Sequence, residues 1–173
     1  MKGKSDPRHQ GRITALQALF EWSFNSTDIK EIVTRDVATR SELASRNKNE
    51  EPVDQDLAFF LAQGITENLE SIDKIIEACA PEWPIIQIAK VDLEILRIAI
   101  FELYIAHNVP PKVAIDEAVE LAKEFGGENS SKFVNGVLGT VVKEILPEVE
   151  GSVVKNLDED ETKTKAKQKR GAN

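Results

Sequence analysis

The stretch from Lys90 to Ala106, KVDLEILRIAIFELYIA, constrains the fold more than any other part of the chain. Its apolar residues run almost all the way round a helical wheel, and Lys90, Glu94 and Arg97 form one narrow polar stripe at i, i+4 and i+7. Such a helix must bury nearly every face, so it belongs in the middle of a bundle. A membrane is not the cover it needs, because Asp92, Glu94, Arg97 and Glu102 interrupt the stretch too often for a span.

The covering elements are legible from apolar spacing and breakers. No run shows the sustained alternation of a sheet, so the expectation is an all-α, compact bundle of about seven helices. A first helix runs roughly from Arg8 to Phe24 and stops at Asn25-Ser26-Thr27, where Thr27 or Asp28 caps a second helix carrying Ile29, Ile32, Val33, Val37 and Leu43. The polar stretch from Ser45 to Pro52 is a loop. A third helix follows with Asp54 and Asp56 in its first turn, where the helix dipole favours carboxylates. A break near Leu69-Glu70-Ser71 starts a shorter fourth helix, which Pro81 and Pro84 end. After the central helix, Pro110-Pro111 restarts the chain into Val113–Phe125, with Gly126-Gly127 as a left-handed helix stop. Ser130 is positioned to cap a last helix that ends before Pro147. The helical domain is therefore expected over residues 1–147. Residues 148–173, with Asp158-Glu159-Asp160-Glu161 followed by alternating lysines, have the composition of a charged, disordered tail.

Composition removes most catalytic chemistry. Two histidines, His9 and His107, and one cysteine, Cys79, provide neither a metal-ligand cluster nor a disulfide, and the lone thiol fits a reducing cytosol. Gly126 to Lys132 resembles a phosphate-binding loop only superficially: no glycine precedes the lysine and no Ser or Thr follows it. Asp116, Glu120 and Glu124, with Lys123 nearby, have the spacing of a solvated helix face rather than a catalytic pair. The expectation is a binding protein with no cofactor and no metal, not an enzyme. The net charge of -8 argues against a surface that clings everywhere to nucleic acid. Lysine and arginine nevertheless gather at the N-terminus, around Lys132 and in the tail.

Three ordered words carry a resemblance. They are KVDLEILRIAIFEL from Lys90, VPPKVAIDEAVELAK from Val109, and FGGENSSKFVNGVL from Phe125. With RITALQALFEW from Arg12, they resemble the NusB transcription antitermination family over about residues 8 to 146. The resemblance implies a helical bundle of two packed subdomains that acts in the cytoplasm and has no membrane segment. It further implies binding of single-stranded boxA RNA in nascent ribosomal RNA transcripts, together with ribosomal protein NusE, within the RNA polymerase antitermination complex. A related alternative is the helical N-terminal module of ribosomal RNA cytosine methyltransferases, although the glycine-rich cofactor site and catalytic cysteines of that enzyme are missing. A helical protein-interaction module without RNA contact is the third alternative. A homodimer through the partner-binding surface also fits, and nothing in the sequence chooses between monomer and dimer.

The expected RNA-binding residues are Arg8, His9, Arg12, Gln17, Phe20, Lys132, Phe133 and Asn135. On the last helix, Val134, Val137, Leu138, Val141 and Ile145 form the core stripe, while Lys132, Gly136, Gly139 and Lys143 lie opposite. Two glycines on one helical face, each costing about 1 kcal/mol relative to alanine, point to close approach by RNA, a partner backbone or a neighbouring helix. Phe133 beside Lys132 pairs a stacking ring with a phosphate counter-charge; the rim of the core is its other available role. Phe20 shares a face with Ile13, Leu16, Leu19 and Phe24, which makes it core by pattern, whereas the resemblance implies an RNA contact there with the usual tyrosine hydroxyl missing. Lys2, Lys4, Arg8 and Arg12 against Asp6 and Glu21 leave the first 22 residues two charges positive. His9 and Gln10 stand where the family often has basic residues, which predicts modest RNA affinity with a shallow salt dependence. Asn129 replaces a frequent aspartate, either favouring RNA or exchanging one turn-former for another. Asp92 and Arg97 are the residues for which the resemblance implies contact with NusE, and for Asp92 a dipole-favoured carboxylate is the alternative.

Overall fold

The computed structural model describes residues 6–145, all of them helical or in short connections. Seven helices follow in order: α1 (Pro7–Trp22), α2 (Ile29–Arg46), α3 (Gln55–Glu67), α4 (Leu69–Cys79), α5 (Lys90–Ile100), α6 (Pro111–Phe125) and α7 (Ser130–Ile145). A short 3₁₀ turn, Ile85–Gln87, precedes α5, and a π-wound segment, Phe101–Ala106, continues it. Lys2, Lys4, the domain boundary after residue 147 and the charged tail lie outside the described residues.

Local chemistry sets the starts. Asp6, Asp28 and Asp54 each accept a backbone N–H from the first turn that follows, at Arg8, Lys30 and Leu57. Helices α1, α2 and α3 pack on one another as one unit, and α4 to α7 form a second, with α5 lying against both α1 and α3. The run of α5 from Asp92 to Ile100 is buried without a break. Ile95, Leu96 and Ile100 are completely enclosed with Leu19, Leu61, Ile65, Ile72, Leu121 and Leu138, each such side chain contributing roughly 1.5–3 kcal/mol on burial.

The sequence did not say what covers the polar stripe on α5: only Lys90 is exposed, while Glu94 and Arg97 are buried and Arg97 bonds both Glu94 and Asp73 of α4. Two carboxylates supply the cation's partners, so the polar face is covered by a helix rather than by water. The glycine stop differs from the expectation. Gly126 is extended, no described glycine has positive φ, and the left-handed position falls on His107 at φ 48°, where the π-wound segment ends. Gly126 is required by packing instead, since a Cβ there would come within 2.6 Å of the Ala122 carbonyl and collide with Ser130. Ser130 in turn accepts the Gly127 N–H at 2.9 Å, tying the α6–α7 connection rather than capping α7 with its hydroxyl.

Candidate RNA and partner interface

The N-terminal helix divides its polar residues between inside and outside. Arg12 turns inward: its Nε donates to Glu102 Oε1 at 2.8 Å and a terminal nitrogen donates to Oε2 at 2.9 Å, with the two side chains 3% and 1% exposed. This corrects the expectation of an RNA contact, because the guanidinium is consumed in a buried fork that joins α1 to the π-wound segment. His9 is likewise engaged. Its Nδ1 lies 2.8 Å from Glu117 and its Nε2 3.1 Å from Glu124, both on α6, so neither ring nitrogen is left for a phosphate. Burial opposes the imidazolium, but the two carboxylates outweigh it and hold the His9 pKa above its ordinary value. Glu124 is thus more than part of a solvated face.

Three of the expected site residues on α1 lie on the surface. Arg8 is exposed and pairs only loosely with Asp6 at 3.5 Å. Gln17 is exposed and accepts a hydrogen bond from Arg40 of α2 at 2.9 Å. Phe20 is 37% exposed, which resolves its two roles against the core; its ring meets that of Phe24 edge to face at 5.1 Å. Lys90 at the start of α5 lies 5.9 Å over the Phe24 ring, within cation–π range. Arg40, Phe24 and Lys90 were not expected at this surface. Phe24 was assigned to the core because its spacing continues the apolar face of α1, but the helix ends at Trp22 and the ring swings outward.

The second part of the site is built on α7 and the segment before α5. Lys132 and Asn135 are exposed, and Phe133 is half-buried against the core with its outer edge against Trp83 at 6.0 Å. Among the described residues, nothing lies within 4 Å of where a Cβ would stand on Gly136 or Gly139. A neighbouring helix is therefore not what the two glycines accommodate.

Trp83 and Phe133 stand between two grooves. One, of about 540 Å³, is lined by Ile88, Ala89, Asp92, Asn129, Ser130 and the two rings. Asp92 is only 8% exposed, and its Oδ1 has no hydrogen-bond partner. A buried carboxylate oxygen without a donor is costly, and a cationic or N–H group arriving from outside would relieve it. The other groove, of about 370 Å³, carries Cys79, Lys132, Gly136 and Thr140 beside the same two rings. Its lysine makes no ion pair with any described residue. Ile86, in the 3₁₀ turn near the first groove, is 92% exposed, an apolar side chain that sequence spacing did not single out.

Arg97 departs from its expected role. Its Nε and one terminal nitrogen both reach Asp73 at 2.9 Å, and the other terminal nitrogen reaches Glu94 at 2.6 Å, so the fork is used internally. Burial pushes the Glu94 carboxyl up to about 7 despite Arg97. The described residues hold no group of three or more His, Cys, Asp or Glu side chains able to bind a metal, and no helix among them is long and apolar enough to cross a membrane.

Among the described residues, the helical bundle presents an aromatic-cationic surface and an adjoining groove with a buried carboxylate oxygen that lacks a hydrogen-bond partner, the features of a binding protein. The family model for the NusB family matches residues 9–143. The transcription antitermination protein NusB of Chloroflexus aggregans is 45% identical over 150 residues, covering 84% of this chain and 93% of that protein. Its counterpart in Herpetosiphon aurantiacus is 42% identical, covering 78% and 89%. Among solved structures, NusB of T. maritima is similar with a TM-score of 0.68 and 33% identity, covering 81% of this chain and 93% of that one. A structure of antitermination factors NusB and NusE in complex with double-stranded RNA matches with a TM-score of 0.66 and 28% identity, covering 79% and 96%. The chain belongs to the NusB family, the non-enzymatic transcription antitermination proteins.

Proposed function

We propose that this chain binds the boxA element of nascent ribosomal RNA as a single strand, together with ribosomal protein NusE. The pair then joins RNA polymerase in the cytoplasm and helps it resist premature termination. The observation that carries the proposal is the adjacency of two unlike surfaces across the Phe133 ring. A lysine without an ion pair to any described residue and exposed helix backbone lie on one side, and a groove with a buried carboxylate whose Oδ1 has no described hydrogen-bond partner lies on the other. Phosphate is attracted to the first and repelled by the second, whereas a basic protein suits the second.

Arg8, Gln17, Phe20, Lys132, Phe133 and Asn135 form the RNA surface, and Asp92 receives a donor from NusE. His9, Arg12 and Arg97 act indirectly, by fixing α1 and α5 through Glu117, Glu124, Glu102 and Asp73. The complex of the related NusB and NusE with RNA supports this choice of partners. Titration of labelled boxA RNA, with and without NusE, tests it. The pair should bind boxA at least tenfold more tightly than a scrambled RNA at the same salt, about 1.4 kcal/mol. Equal affinities for boxA and scrambled RNA would refute the proposal.

A further inference from the structure

We propose that Trp83 is a nucleobase-stacking residue: with Phe133 and the bare backbone at Gly136 it forms a slot that takes one unpaired base of the bound RNA, while Lys132 meets the adjoining phosphate. This rests on the RNA reading above and extends it to a side chain outside α1 and α7.

The placement of Trp83 is not explained by the core. Its indole is 50% exposed in the connection after α4, and it meets Phe133 edge to face at 6.0 Å. Half of the indole surface stays open to solvent, and a large exposed aromatic next to another is a feature of binding surfaces rather than of a solvated loop. The groove it overlooks, about 370 Å³, has Gly136 on its floor, where nothing lies within 4 Å of a would-be Cβ, so a flat ring can approach the helix backbone directly. Lys132 lines the same groove and makes no ion pair with any described residue, and the Thr140 hydroxyl donates back to the Gly136 carbonyl at 3.2 Å.

Charge chooses the occupant. The groove on the far side of the two rings holds the Asp92 carboxylate, whose Oδ1 has no described hydrogen-bond partner, and its charge repels a phosphate chain. The Lys132 side attracts one, although Glu82 also borders it. Aromatic stacking tolerates any base, so the slot contributes affinity and position more than sequence choice.

The chain has two tryptophans, Trp22 and Trp83, which makes the test direct. In the full-length Trp22→Phe variant, Trp83 emission is followed while boxA RNA is titrated, with the anisotropy of labelled RNA read in parallel. Quenching should saturate at the same midpoint as anisotropy. Trp83→Ala should weaken binding about tenfold, the scale of one stacked base, while Trp83→Phe retains most of the affinity. If anisotropy reports binding while Trp83 emission stays constant and Trp83→Phe and Trp83→Ala bind like the parent, stacking is wrong and RNA binding stands. If emission changes only when NusE is added without RNA, Trp83 is a protein contact and the inference is overturned. Absence of any anisotropy change overturns the RNA reading and this one with it. The emission readout needs no change at Trp83, so a Trp83→Ala variant that fails to fold leaves the inference open to refutation.

Discussion

Replacing Arg12 with alanine distinguishes a buried structural arginine from an RNA-binding one. The guanidinium makes two hydrogen bonds to Glu102, at 2.8 and 2.9 Å, in a site where the two side chains are 3% and 1% exposed. Removing it leaves a carboxylate buried with its main partner gone, a loss of about 3–5 kcal/mol. For a domain of this size each kcal/mol moves Tm by about 2–4 °C, so the variant should melt roughly 10 °C below the parent. The double variant Arg12→Met with Glu102→Leu should recover most of that loss, because an apolar pair of similar volume needs no counter-charge. Thermal melts followed by circular dichroism measure both. RNA affinity, read by anisotropy at a temperature where every variant is folded, should change by less than about twofold, or about 0.4 kcal/mol. An Arg12→Ala protein that melts with its parent but loses about tenfold or more in RNA affinity would refute the structural role and return Arg12 to the RNA surface.

Three further outcomes follow from the same geometry. Because the His9 pKa is held above 6.5, its contribution to stability is fully present below the unfolded value and lost as pH rises through the folded one. Glu94, with its carboxyl pushed up to about 7, acts in the same direction above its unfolded pKa. Tm should therefore rise as pH falls from about 8 to about 6, and His9→Gln should flatten part of that slope; an unchanged slope argues against the Glu117–His9–Glu124 clasp. Gly64→Ala should lower stability by about 1–3 kcal/mol, since its methyl would overlap the Phe101 ring, as urea unfolding will measure. Gly139→Ala, facing open space within α7, should raise stability by about 0.5–1 kcal/mol in the same experiment.

The helices and their order were legible because apolar spacing, aspartate caps and proline breaks are local signals. The burial of the central α5 helix followed from the near absence of a polar face. The ion pairs were not legible. Arg12 and Glu102 are 90 residues apart, and so, on a helical wheel, nothing tells an arginine that faces Glu102 from one that faces water. The same holds for Arg97, whose spacing with Lys90 and Glu94 resembles a solvated stripe until Asp73 of α4 is packed against it. Phe20 and Phe24 share the periodicity of the core yet lie outside it, because periodicity gives a direction and not the point where the neighbouring helix ends. Lys132, Phe133 and Asn135 were visible through family resemblance, while Trp83 sits in a connection where no periodicity applies.

Separation of an RNA face from a protein face is tested most directly by one set of paired titrations, with Lys132→Glu and Asp92→Asn measured against boxA RNA alone and against NusE alone. Lys132→Glu should weaken RNA binding and leave NusE binding intact. Asp92→Asn should weaken NusE binding by about thirtyfold, the scale of about 2 kcal/mol for a desolvated charge contact, and leave RNA binding without NusE unchanged or slightly tighter. The opposite pattern, with Asp92→Asn losing RNA and Lys132→Glu losing NusE, would contradict the assignment of the two sides of Phe133.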